Sequence, residues 1–206
     1  MIIGFDHIAY STINIDAEIE NFVNNNYSCK FINKQLKNNI AKKELLENFY
    51  DTHDIAFLTG DSIISIEIIE HSKCLPATAG EYKYRQNFIE VNAYNKKTEE
   101  EFWENVLRFK KISGNKMNLR SFNPSLSCTI EICQNKDFSK YYLDSKGYTC
   151  MAFYSNNLKE EIRNIEKFGG KEISDIFSFN VNNKLFNITL FRTAGGNLCE
   201  LLELKR

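Results

Sequence analysis

The chain carries three histidines, and one of them, His7, stands beside Asp6 in the middle of an otherwise strand-forming run, GFDHIAYST (Gly4 to Thr12). An imidazole inside a strand is either a satisfied core group or a ligand, and its neighbours decide which. Two other stretches hold groups that can do chemistry. SIEIIEH (Ser65 to His71) and LCELLEL (Leu198 to Leu204) each set an ExxE pair among aliphatics, Glu67 with Glu70 and Glu200 with Glu203. Residues three apart on a strand point to opposite faces. One glutamate of each pair is therefore expected to face inward, and the other solvent or a neighbouring strand. A carboxylate facing the interior of a cleft without a partner is costly or takes up a proton. A metal ion is one remedy, and hydrogen bonding to Tyr, Asn or Arg is another.

The other candidates read more plainly. His53 and His71 lie beside turns or strand ends and are expected at the surface. The six cysteines, Cys29, Cys74, Cys128, Cys133, Cys150 and Cys199, are spread along the chain without a CxxC pair. They read as free thiols, mostly buried, in a reducing compartment. Cys128 and Cys133 are an odd number of residues apart, so on a strand they face opposite ways and share no metal. Gly195-Gly196 reads as a hairpin turn, and no GxGxxG or Walker-type sequence occurs. The run Lys96 to Glu101 is a solvated helix start.

These residues need elements to position them, and the chain repeats itself. DHIAYST (Asp6 to Thr12) and TCMAFYS (Thr149 to Ser155) match position by position, His7 opposite Cys150. Each leads into an amphipathic helix, with Ile15, Ile19, Phe22 and Val23 on one and Leu158, Ile162 and Ile165 on the other. The second helix is expected to stop at Gly169-Gly170. Strands are expected at YSCKFI and KEISDIFSF, then at DIAFLTGDS and LFNITLFRTAGGN, whose turns fall at Gly60-Asp61 and Gly195 to Asn197. The middle is a weaker copy. NFIEVNAYN (Asn87 to Asn95) reads as a strand, TEEEFWENVLRF as a helix with Phe102, Trp103, Val106 and Leu107 on its apolar face, and KMNLRS and LSCTIEIC as strands. The expected boundaries are a first βαβββ module over 1–71, a linker over 72–86, a degenerate middle module over 87–146 and a last βαβββ module over 147–206. The fold class is α+β, with curved, mostly antiparallel sheets around a cleft.

The totals are ordinary for a folded chain that buries a real core. Of 206 residues, 43% are hydrophobic and 26% charged, and the formal net charge is −1. Such a balance sets up no field that draws nucleic acid or anionic lipid, and Lys and Arg are scattered. No apolar stretch approaches the roughly 20 residues of a membrane span. The expectation is a cytoplasmic protein with a small-molecule partner, no nucleic acid and no membrane. Aromatics, 13% of the chain, build core and can line a cleft for a ring or an acyl chain.

FDHIAYST, FWENVLRF, AGGNLCELLEL and DIAFLTGDSIISIEIIEH together resemble the vicinal oxygen chelate superfamily, which includes glyoxalase I, methylmalonyl-CoA epimerase, extradiol dioxygenases and bleomycin-resistance proteins. The first is similar to its first strand, the second to the following helix and the third to its common ending. The last is most similar to the epimerase-like branch. The family's modules pair around a cleft, and its divalent metal is held by one residue from the first and one from the last strand of each paired module. Carried over, this implies His7 and Cys150 from first strands and Glu67 and Glu200 from last strands. The family usually has His where this chain has Cys150. Zn, Ni, Co, Fe and Mn all suit such donors. If instead the middle and last modules pair, the site draws on Glu90, Glu131, Cys150 and Glu200. The helix-plus-strand order favours middle with last, whereas the better ligand set favours first with last, and the balance tips to the ligand set.

The resemblance implies a glyoxalase-like or epimerase-like protein that binds a small oxygen-rich substrate. Metal-assisted lyase or isomerase chemistry would run through an enolate, with Glu67 as ligand or as the base that moves the proton. The alternative it implies is a metal-free binding protein of the bleomycin-resistance type, and the third is a dioxygenase. A homodimer is compatible with each.

Overall fold

The computed structural model describes residues 1–61, 63–85, 88–121, 123, 127–181 and 184–205. Ser62, Gln86, Asn87, Pro124, Leu126 and Arg206, which fall within the expected turns, linker and modules, lie outside the described residues.

Three stretches of the chain fold by one plan. The first runs β1 (Ile2–Thr12), α1 (Ile15–Asn24), β2 (Tyr27–Lys37), β3 (Thr52–Gly60) and β4 (Ile63–Glu70), with a short 3-10 turn (Ile40–Leu45) between β2 and β3. After the short β5 (Lys83–Arg85), the second runs β6 (Phe88–Ala93), α2 (Lys96–Asn105), β7 (Lys110–Ser113), β8 (Lys116–Leu119) and β9 (Cys128–Gln134). The third runs β10 (Gly147–Ser155), α3 (Leu158–Lys167), β11 (Phe177–Val181), β12 (Lys184–Arg192) and β13 (Leu198–Leu204). In each unit the first strand lies parallel to the last, and the remaining two follow outward.

Each helix opens on an asparagine two residues beyond its strand. Asn14, Asn95 and Asn157 are the N-caps, their side chains accepting from the backbone N–H of Ala17, Thr98 and Glu160. Asparagine suits this position because its carbonyl satisfies an N–H that the first turn leaves unpaired. α3 closes at Gly169, which takes φ 84°, and the Gly170 N–H donates to the Ile165 carbonyl at 2.8 Å.

The pairing of units follows the ligand set. β1 and β10 run antiparallel side by side and fuse the first and third units into an eight-stranded sheet, β11-β12-β13-β10-β1-β4-β3-β2. The middle unit forms its own five-stranded sheet, β5-β6-β9-β8-β7. Glu90 and Glu131 face each other across β6 and β9 there, and Glu90 is paired with Lys83 and Arg85 at the surface. The alternative ligand set is therefore split between two sheets.

Strand alternation sorts the side chains into two apolar clusters. Phe5, Ile8, Ile66, Ile68, Phe153 and Leu201 point to one face of the large sheet and pack with Val91, Trp103, Phe109 and Ile130 of the middle unit. Ala9, Ile55, Ile69, Cys150, Leu190 and Leu202 point to the other face. No described helix is long and apolar enough to cross a membrane.

Several local expectations shift. Val23 is 46% exposed, beyond the buried stripe of Ile15 and Phe22. The strand in KEISDIFSF begins only at Phe177. Val106 and Leu107 are buried, but just past the end of α2. β7, KKIS, is exposed throughout and has no alternation to announce it.

Candidate functional site

The strand registers relate the two fused units by an approximate twofold. Across β1 and β10, His7 stands opposite Ala152, and Ala9 opposite Cys150. Glu67 neighbours Ala9, and Glu200 neighbours Ala152, in the two parallel pairs. Exchanging the units therefore exchanges His7 with Cys150 and Glu67 with Glu200. Three of these four line one cleft of about 300 Å³: His7, Glu67 and Glu200. The outward partner of Glu67 does structural duty instead, since the Glu70 carboxylate accepts from the Ile15 N–H at the start of α1.

A bulge between Phe5 and His7 brings Asp6 onto the cleft face with its neighbour. His7 Nδ1 lies 2.8 Å from an Asp6 carboxylate oxygen, and Nε2 lies 3.4 Å from Glu67. Burial alone lowers the pKa of His7, but the charges of Glu67 and Asp6 outweigh it and hold the value well above the usual range. Glu200 differs. No hydrogen bond or ion pair reaches its carboxylate among the described residues. Desolvation and then the charge of Glu67 push its pKa up to about 7, against the pull of His7 and Lys42.

The walls are aromatic and aliphatic. Phe31 stacks on Phe57 at 5.6 Å between centroids and 5° between planes, and His7 meets the same ring edge-on at 5.6 Å. Phe177, Phe179 and Phe186 line the side contributed by the third unit. Lys42, from the 3-10 turn, lies 5.8 Å over the Phe177 ring, and the exposed Lys30 and Lys184 also line the cleft. Asp6, Lys42 and the phenylalanines are site residues that no motif marks. The bulge brings in Asp6 and the 3-10 turn before β3 brings in Lys42, while the phenylalanines come from β2, β3, β11 and β12.

Cys150 does not line the main cleft. It is buried beneath, in a small cavity of about 20 Å³ shared with Glu67 and Glu200. Burial, and then the charge of Glu200, raise its thiol pKa well above the usual value. All six cysteines are free. Two residues on that cavity correct the sequence reading. His53 and His71 are 4% and 5% exposed, not surface groups. Both ring nitrogens of His53 and Nε2 of His71 are buried without a hydrogen-bond partner. Burial drives their pKa values down to about 3 and about 4. The signal was strand period: His53 continues the inward series of Ile55 and Phe57, and His71 that of Glu67 and Ile69.

Among the described residues, no three His, Cys, Asp or Glu side chains already converge as a metal-binding group. The donors of the cleft are nonetheless of the right kind. His7 is oriented through Nδ1 by Asp6, the arrangement that fixes a ligating imidazole. Its Nε2 and the Glu67 carboxylate, 3.4 Å apart, have the spacing of two ligands on one ion with bonds of about 2.1 Å.

The sequence matches no family model and no curated protein. Solved structures are similar in fold. Glyoxalase I from Zea mays is 14% identical, with a TM-score of 0.40 and coverage of 97% of this chain and 67% of that one. Methylmalonyl-CoA epimerase from Mycobacterium tuberculosis is 11% identical, with a TM-score of 0.45 and coverage of 100% and 91%. A putative dioxygenase from Bacillus subtilis is 13% identical, with a TM-score of 0.43; the match takes in 98% of this chain and 63% of that one. The strand order and the pairing of the βαβββ units follow the repeated plan expected of the chain.

Proposed function

We propose that the cleft binds a small oxygen-bearing molecule with an apolar part and moves a proton next to its carbonyl, the chemistry of a lyase or isomerase. The observation that carries this reading is Glu200, a carboxyl without a donor, with a pKa of about 7, facing His7 and Glu67 in an aromatic-walled cleft. A carboxylate so poised takes a proton from carbon and returns it at neutral pH. His7, protonated between Asp6 and Glu67, donates through Nε2 toward an oxygen that gains charge, and Lys42 supplies a second positive group. The stacked Phe31 and Phe57 hold the apolar part and exclude water. The base role that the resemblance gives to Glu67 passes to Glu200 here, because Glu67 is occupied by His7. With the Nε2 proton of His7 lost, His7 and Glu67, beside Glu200, would hold a divalent cation, which would then take over the polarisation of the substrate's oxygens as a Lewis acid. Cys150 is not a ligand in this reading.

The second reading, a protein that sequesters a small molecule without a metal, is favoured by the lack of three convergent donors among the described residues. A dioxygenase is supported least, since His7 is the one histidine among the cleft's lining residues. The cleft is completed within one chain, so a homodimer is not needed to build it.

The test is solvent-deuterium incorporation into a panel of α-keto acids, thioesters and hemithioacetals, followed by NMR. The expected result is exchange into one class, abolished in Glu200→Gln. Ligands that bind without any exchange would transfer the assignment to sequestration. Equilibrium dialysis against Zn or Ni, with His7→Ala as control, reports the cation separately.

A further inference from the structure

A second, larger concavity lies on the opposite face of the large sheet. It measures about 590 Å³, and its aromatic lining is Tyr10, Phe22, Tyr27, Tyr84 and Tyr148. Tyr10 and Phe22 belong to the first unit, Tyr84 to β5 and Tyr148 to β10, so all three parts of the chain build it. Its rings meet at steep angles. Tyr10 and Tyr148 are 5.0 Å apart at 72°, Tyr148 and Tyr84 are 5.9 Å apart at 73°, and Tyr10 and Phe22 are 5.7 Å apart at 80°. The Tyr27 hydroxyl donates to the Ile64 carbonyl at 3.0 Å and lies 3.4 Å from the Tyr84 hydroxyl, which holds that wall in place.

The charge lining the groove is of one sign. Glu18, half-buried in the first turn of α1, is the charged lining residue, and no Lys, Arg or His joins it among the described residues. No ion pair engages Glu18 among them, and its carboxylate accepts from the Tyr10 hydroxyl. Asn21 and Asn25 complete the rim.

Rings at right angles give a corner of electron-rich surface, and a carboxylate adds a full negative charge. That combination attracts a cation that cannot be satisfied by hydrogen bonding, the quaternary ammonium group. We propose that this groove binds a small molecule carrying a quaternary ammonium head, held against the tyrosine wall of Tyr10, Tyr84 and Tyr148 with Glu18 as its counter-ion. The volume suits a whole small ligand rather than the tip of one side chain. A sugar needs one flat exposed ring and a ring of donors, whereas the perpendicular tyrosines offer walls on several sides.

Isothermal titration calorimetry of the full chain with choline tests this, beside the neutral isostere 3,3-dimethylbutan-1-ol. The expected result is saturable one-to-one binding of choline, at least about tenfold tighter than the alcohol. Tyr148→Ala should weaken it about tenfold, and Glu18→Gln about threefold. Glu18 is a helix-surface residue, so that variant stays informative if Tyr148→Ala does not fold. Equal affinity for the alcohol overturns the proposal, as does the absence of saturable heat, or unchanged affinity in Glu18→Gln. Tighter binding of methyl glucoside, or of a trimethyl-lysine peptide where choline fails, also overturns it, in favour of those ligands. Glu200→Gln should leave choline binding unchanged, which keeps this site's outcome separate from the cleft's.

Discussion

Two carboxylates, one in the core and one half-buried in the cleft, meet opposite surroundings. Glu99 of α2, within the run expected as a solvated helix start, is instead fully buried and accepts from Trp103 Nε1 at 2.8 Å, Thr193 Oγ1 at 2.8 Å, the Gly195 N–H at 2.7 Å and Asn197 Nδ2 at 2.8 Å. It ties the middle unit to the β12–β13 turn, where a Cβ on Gly195 would collide with the carboxylate. Glu200, in the cleft, accepts from none of the described residues. The floor below it continues in kind, with both ring nitrogens of His53 and Nε2 of His71 unpartnered. Burial raises the pKa of both glutamates, but the donors around Glu99 pull against it, whereas the neighbouring charge of Glu67 pushes Glu200 further. A satisfied buried charge fastens two elements together. An unsatisfied one keeps its reactivity at the cost of stability.

The comparison breaks most decisively at Glu99. Glu99→Leu strands the donors of Trp103, Thr193, Gly195 and Asn197 and should destabilise the chain by about 3–5 kcal/mol, read from urea unfolding. A loss below about 1 kcal/mol would mean that the network does not join the units.

At Glu200 the sign reverses. Its folded-state pKa, about 7, lies above the ordinary 4.5. The native state therefore holds the extra proton in that window, and stability falls as pH rises from about 4.5 through about 7. Glu200→Gln should stabilise by about 1–3 kcal/mol at pH 8 and by little below pH 4.5. Thermal melts at the two pH values check it, and a gain independent of pH would detach the effect from ionisation.

His53 carries the opposite slope. It stays neutral in the folded chain to about pH 3, while the unfolded imidazole protonates near 6.5, so stability is lost as pH falls through that range. His53→Leu should add about 1–2 kcal/mol at pH 5. Destabilisation there would show that a bound water or ligand satisfies the ring. The smallest effect is expected at Glu90, a carboxylate with two solvent-exposed cations. Lys83→Ala should change unfolding free energy by less than about 0.5 kcal/mol.

Much of the cleft is legible in the chain. The matched runs around His7 and Cys150 and the two ExxE endings locate three lining residues: strand alternation puts one glutamate of each pair on each face, and the family resemblance names Glu67 and Glu200. One sign of the triple repeat goes unread in the matching. Asn14, Asn95 and Asn157 each stand two residues past a first strand, and each caps a helix. His53 and His71 are misplaced because nearness to a turn says less about burial than strand period does. Asp6 is illegible for a different reason: only the bulge lets adjacent residues share a face.

By itself the sequence determined the repeated strand–helix–strand plan and the turns, which follow from period and glycine within a few residues, and it placed one glutamate of each ExxE pair inward. Tertiary structure alone decided the rest. The fusion of β1 to β10, rather than to β6, depends on how three similar units share one apolar interface, and no single segment encodes that. The same packing surrounded Glu99 with four donors and Glu200 with none. Two glutamates of identical chemistry differ because burial and donors come from residues distant in the chain, and these set whether a carboxylate serves as a fastener or as a base.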